Sequence, residues 1–231
     1  MKKIKIWHIA AVFFAVCAGI NLYGCWIGNA ALANTVKPAL MPLLCLATIA
    51  ALAHKTGIKS RETKLLACAQ LFGFAGDTAL IGSDKFAFFA AGIGLFLIGH
   101  IFYITLFGGK SWKGLKFWHW LIAIVVSLGA VALLIMNIGI EGALMAPMAV
   151  YGFTLMMLIF STLAGAIHFG GKTWWILLIG ACLFTFSDSL IAIHTFKDPT
   201  ACLGRFGVMS TYLTAQILLA IGGVRLAKNK K

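Results

Sequence analysis

The chain has 231 residues, of which 61% are hydrophobic and 11% charged, with a net charge of +13 and a mean hydropathy of +0.98. A soluble domain carries about 25% charged residues, so too little polar sequence is present to cover a water-facing surface. The positive charge does not point to nucleic acid either, because it sits in short connections between apolar runs, without a basic face or interleaved aromatic and basic residues.

Apolar runs of roughly 20 residues recur from end to end, each long enough to cross a hydrocarbon core of about 30 Å as a helix. They predict an all-α membrane bundle of about eight transmembrane helices, organised as a single transmembrane domain over residues 1–231. The first span, 6–28, carries Asn21. Lys2 to Lys5, the apolar stretch and Ala31-Leu32-Ala33 resemble a cleavable signal peptide. That stretch is too long for a usual signal core and Asn21 interrupts it, so it is read as a span. The second span, 37–54, opens on Lys37-Pro38, and the third, 64–82, carries Gly73, Gly76 and Asp77. The fourth, 86–107, carries His100 and Tyr103, and the fifth covers 117–136. The sixth, 145–168, holds Tyr151; the seventh, 173–194, holds Ser187, Asp188 and Ser189; the eighth, 204–227, holds Arg205, Tyr212 and Gln216. Gly108-Gly109, Gly170-Gly171 and Asp198-Pro199 punctuate the connections. Six scattered cysteines read as small buried hydrophobes, with Cys25 and Cys202 placed where a pair could form.

The basic residues alternate between the two sides of such a bundle. Lys2, Lys3 and Lys5, then Lys55, Lys59, Arg61 and Lys64, then Lys110, Lys113 and Lys116, then Lys172, and finally Arg225, Lys228, Lys230 and Lys231 fall on one side. Lys37, Lys85, Lys197 and Arg205 fall on the other. Fifteen against four over short loops places both termini in the cytoplasm, with the inner membrane of a bacterium as the expected location.

Glu62, Asp84, Glu141 and Asp198 fall in connections or at span ends. Asp77 and Asp188 do not. Each lies about five or six residues inside its span, where a charged Asp costs roughly 2.5–3.5 kcal/mol on insertion scales. The alternation puts both at one level in the non-cytoplasmic half, roughly 8–9 Å inside the boundary by helical rise. Two carboxyls brought close in a low dielectric do not both ionise easily, which suits a general acid beside a general base. Asn21, Tyr151, Tyr212, Lys37 and Arg205 share that level, while His100, Tyr103 and Gln216 lie deeper. Ser187 and Ser189 flank Asp188 but point about 100° away from it on a helix, against a serine triad. The sequence carries no Gly-x-Ser-x-Gly, His-Glu-x-x-His or P-loop motif, and neither a metal nor another cofactor is expected.

Gly76-Asp77 with Leu80, Phe96, Gly99-His100 and Tyr103, together with Lys37-Pro38, Ser187-Asp188-Ser189-Leu190, Tyr212 and Gln216, resembles the YhhN-like integral membrane family, which includes the mammalian lysoplasmalogenases. The resemblance covers nearly the whole chain and implies eight spans. It implies hydrolysis of the vinyl ether bond of a lysophospholipid substrate within membrane lipid, with Asp77 and Asp188 in the acidic roles. On that reading Lys37 or Arg205 holds the phosphate near the rim, Tyr151, Tyr212 and Asn21 position the ether and water, and His100 and Gln216 lie behind them. The competing readings are a proton-coupled transporter of a small or lipidic solute, weakened by the lack of an internal repeat, and a lipid-binding scaffold with structural aspartates. Oligomeric state is not legible.

Overall fold

A computed structural model describes residues 6–53 and 59–228. Lys2, Lys3, Lys5, Lys55, Lys230 and Lys231, which enter the charge count, lie outside them, as does the last residue of the expected second span. The described residues form eight long helices: α1 (Ile6–Trp26), α2 (Ala30–Ala53), α3 (Arg61–Ala79), α4 (Phe86–Ser111), α5 (Phe117–Ile138), α6 (Met145–Phe169), α7 (Gly171–Phe196) and α8 (Gly204–Lys228). All eight are long and apolar enough to cross a membrane. The chain is an integral membrane protein.

Local chemistry sets several helix ends. Ser60 caps α3 by accepting from the Thr63 N–H, and Gly139 ends α5 with φ 75°, its N–H bonded to the Ile135 carbonyl. The second helix begins earlier than expected. Asn29 accepts from the Leu32 N–H at 3.0 Å and caps α2 at Ala30, so Lys37 lies two turns inside the helix instead of opening it. Pro38 and Pro42 follow within the same helix. Pro38 has no N–H to give, so the Asn34 carbonyl has no donor four residues on.

Sequential helices pair as α1–α2, α3–α4, α5–α6 and α7–α8, and α8 also packs on α1, α2 and α3. Small residues bring them together: Gly222 seats Leu177, Gly223 seats Leu66, and Gly180 seats Leu218 and Leu219. The core is built around fully buried Leu40, Phe107, Leu158, Leu177, Ala181 and Leu219, while Phe117, Trp118, Ile122, Val125 and Met136 of α5 stay exposed, as on a lipid-facing surface.

The α1–α2, α3–α4 and α7–α8 connections lie at one end of the bundle, because residues beside all three line one cleft. The Lys197 ammonium donates to the Asn137 carbonyl at 3.0 Å and brings the C-terminal end of α5 to the same level. In the α7–α8 connection the Thr200 hydroxyl and N–H both donate to Asp198, which holds that exposed carboxyl below its ordinary value. All six cysteines are free thiols, so the Cys25–Cys202 pairing does not form; only Cys45 is buried, while Cys17, Cys25 and Cys68 are half-buried and Cys182 and Cys202 exposed.

Candidate active site

Asp77 lies on α3 at 3% exposure and is held from two sides. The Tyr212 phenol of α8 donates to Asp77 Oδ2 at 2.6 Å, and the Lys37 Nζ of α2 stands 3.8 Å from Oδ1. Behind Tyr212 the bonding continues away from the carboxylate. Gln216 Nε2 donates to the Tyr212 oxygen at 3.4 Å, and the Tyr103 phenol of α4 donates to Gln216 Oε1 at 3.0 Å. Tyr103 thereby fixes which way the amide faces, and the amide leaves Tyr212 its single proton for Asp77. Gly73 borders this group: a Cβ there would meet Gln216 Nε2 at 3.6 Å and the Tyr212 oxygen at 3.9 Å, both ordinary contact distances. Gly76 lets the Phe96 ring approach to within 2.9 Å of where its Cβ would be.

Asp188 lies on α7 at 7% exposure and accepts a hydrogen bond from the Tyr151 phenol of α6 through Oδ2. Its Oδ1 is buried without a partner. Among the described residues the structure gives Asp188 no ion pair, in contrast to Asp77. Between the two pairs stands an aromatic wall. Phe96 and Phe184 pack edge-on to Tyr212 with centroids 6.2 and 5.5 Å away, while His100 packs on Phe184 at 4.5 Å and on Tyr151 at 5.7 Å. His100 Nδ1 is bonded to the Phe96 carbonyl at 2.6 Å, and its Nε2 is buried without a partner. Each carboxyl is thus bonded to one phenol and screened from bulk water, an arrangement able to give and take a proton beside an apolar chain.

A cleft of about 170 Å³ opens one turn further toward the bundle end, past Leu80 of the α3 end and Ile191 of α7. Asn21, Asn34, Lys37, Ser83, His194, Thr195 and Arg205 supply its polar lining. Lys37 belongs to both features, lining the cleft and standing beside Asp77. Arg205 is exposed at the cleft, apart from the carboxyls. Asn21 faces the cleft and not the tyrosines; its Nδ2 donates to the Ala33 carbonyl at 2.8 Å. Ser187 is turned away from both aspartates and donates to the Val208 carbonyl at 3.1 Å, tying α7 to α8. Asp188 and Tyr151 also border a small apolar pocket of about 30 Å³ between α5, α6 and α7.

Phe184 did not emerge from the sequence, since an apolar side chain in an apolar span carries no signal, and Phe96 entered only as part of the family resemblance, without a place at the site. His194 and Asn34 were legible only as polar residues near a span end. Among the described residues no group of three or more His, Cys, Asp and Glu side chains is arranged to hold a metal ion, so Asp77, Asp188 and His100 do not converge as one.

The model of the YhhN family matches residues 32–223 of this chain. The chain is similar to the protein named lysoplasmalogenase TMEM86B in Homo sapiens, 31% identical over 186 residues that cover 80% of this chain and 73% of that protein. It is similar to the same-named protein of Mus musculus, 31% identical over 80% of this chain and 73% of the relative. A third relative, lysoplasmalogenase TMEM86A of Bos taurus, is 30% identical over 80% of this chain and 75% of its own length. No solved structure matches the chain significantly.

Proposed function

We propose, for a chain that belongs to the YhhN family, that it is a membrane hydrolase which cleaves the vinyl ether bond of lysoplasmalogens to a fatty aldehyde and a glycerophospho head group. The observation that carries this reading is the pair of buried carboxyls, each bonded to its own tyrosine, one turn beneath a cleft with basic lining. The names of the relatives supply the substrate class.

A vinyl ether is cleaved by protonation at carbon. A carboxylic acid gives its proton to the outer alkene carbon, the carbon bonded to the ether oxygen becomes an oxocarbenium ion, and water adds there while a carboxylate takes the released proton. The hemiacetal then collapses to aldehyde and alcohol. We assign the proton donor to Asp188, which Tyr151 holds through Oδ2 while Oδ1 has no partner. Asp77, ion-paired with Lys37 and bonded to Tyr212, is the carboxylate that stabilises the cation and takes the proton from water. Glycoside hydrolysis uses two carboxyls around a similar oxocarbenium state. The aromatic wall of Phe96, Phe184 and His100 lies against the chain and keeps bulk water out. Lys37 and Arg205 line the cleft where the phosphate is placed. The bias of basic residues supports a topology with both termini in the cytoplasm and the cleft at the outer end, and the location we propose is the inner membrane of a bacterium.

Purified protein incubated with a lysoplasmalogen is expected to release aldehyde, and with the matching lyso-ester lipid to release none. Folded protein that gives no aldehyde above background overturns the reading. Lys37→Gln removes the cation beside Asp77 and leaves its charge uncompensated, so aldehyde release is expected to fall by about tenfold to a hundredfold. A rate within twofold of the parent assigns Lys37 no part in the reaction.

A further inference from the structure

The cleft has one property that the reaction does not use. Asn21 is 1% exposed and lines the cleft, and its Oδ1 is buried without a partner. The amide cannot relieve this by turning over, because its Nδ2 donates to the Ala33 carbonyl at 2.8 Å, and a flipped amide would set oxygen against oxygen. The contact is fixed from below: α1 and α2 meet so closely at Gly24 that a Cβ there would lie 2.8 Å from the Ala33 nitrogen. A buried acceptor without a donor is costly, so a ligand that brings a hydroxyl to it gains the bond and removes the cost. Lys37 and Arg205 line the same cleft, and among the described residues no carboxylate does. The cleft therefore offers a phosphate two cations, and Asn21 in its wall holds one unsatisfied acceptor just beneath the surface.

Resting on the hydrolase reading, we propose that this cleft is a glycerophosphate subsite in which Asn21 Oδ1 accepts a hydrogen bond from the free sn-2 hydroxyl of the lysolipid, while Lys37 and Arg205 meet its phosphate. The sn-2 oxygen lies between the sn-1 ether and the sn-3 phosphate, as the cleft lies between the carboxyls and the bundle end. Asn21 is then the residue that distinguishes a lysolipid from its 2-acylated parent. An acylated sn-2 oxygen has no proton to give, so it leaves Oδ1 unpaired, and the added chain has to fit beside a cleft of about 170 Å³. Sites built to bond a substrate hydroxyl reject analogues that lack it far better than apolar pockets reject an extra group.

The test uses the full-length protein in detergent and two readouts. The first is binding of uncleavable 1-alkyl glycerophospholipids bearing hydroxyl, hydrogen or an acyl group at sn-2. The second is kcat/KM for the corresponding 1-alkenyl lipids with hydroxyl or hydrogen at sn-2. The parent protein is expected to prefer the hydroxyl over the hydrogen form by roughly tenfold to a hundredfold in both readouts, and to bind the acyl form no better than the hydrogen form. Asn21→Leu is expected to bring the hydroxyl lipid down to the level of the hydrogen analogue while leaving the analogue unchanged. Equal treatment of the hydroxyl and hydrogen lipids by the parent protein overturns the subsite, and needs no variant to fold. Equal losses on both lipids in Asn21→Leu also overturn it. A binding preference without release of aldehyde from any alkenyl lipid overturns the hydrolase reading and leaves the subsite standing.

Discussion

Asp188→Asn is expected to lower aldehyde release by about 10²- to 10⁴-fold, the range lost with a general acid, while the thermal midpoint in detergent stays near that of the parent protein. Asparagine keeps the size of the side chain and an oxygen to accept from Tyr151, so the α6–α7 contact survives. What it loses is a proton acidic enough to reach carbon. Asp77→Asn is expected to cost a similar factor in rate and also to lower the midpoint. Its carboxylate is the partner of Lys37, whose side chain is only 13% exposed, and the substitution strands that ammonium. Rates within a few-fold of the parent for either variant exclude the two-carboxyl mechanism, and equal midpoints for the two variants exclude the separate roles given to them. Circular dichroism melts beside the aldehyde assay make both comparisons.

Gly165→Leu is expected to be the most damaging change remote from the site. A Cβ on Gly165 of α6 would stand 2.1 Å from the Trp174 ring of α7, inside any possible contact. The ring has nowhere to go, because Trp174 is 5% exposed and stacked on Phe169 at 5.6 Å. The two helices are joined at Gly170, so the crowding comes within a turn or so of a tight connection. Overpacking of this kind costs about 1–3 kcal/mol, and a leucine adds further atoms in the same direction. The expected result is a clearly lowered thermal midpoint and a smaller yield of monodisperse protein. Gly129→Ala on α5 is the control, because nothing lies within 4 Å of its Cβ position. It should be neutral or slightly stabilising, as alanine for glycine usually is in a helix. Similar losses at both positions place the cost in helix propensity instead of the α6–α7 contact.

The eight helices were legible because in lipid a run of apolar residues has few alternatives to a helix. The start of α2 was not. Asn34, Thr35 and Lys37 interrupt the apolar run within the first two turns, and hydropathy cannot distinguish such a turn from a connection, whereas the Asn29 cap before it does. Asp77 and Asp188 stood out by the cost of a carboxylate in a span. Their partners did not, since the periodicity of one helix does not say which neighbour it meets. Tyr212 and Tyr151 read as equals in sequence, yet one serves Asp77 and the other Asp188. Lys37 and Arg205 were likewise equal as boundary charges, and folding gives Asp77 to Lys37 alone. Ser187, conspicuous beside Asp188, is spent on the Val208 carbonyl.

The line of bonds from Tyr103 through Gln216 and Tyr212 to Asp77 bears on proton traffic. Hydroxyls can relay protons by handing one on and receiving another, but a side-chain amide in the middle of the line cannot do so without changing its tautomer. Every donor in the line also faces Asp77, so a proton moving away from it would need all three groups to turn around. Gln216 is therefore an insulator: it orients the carboxylate from the deep side without wiring it to the opposite face of the membrane. On the proposed mechanism the protons taken up at Asp77 exchange on the cleft side, where Lys37 stands, as suits a group that cycles its proton locally and does not carry it across.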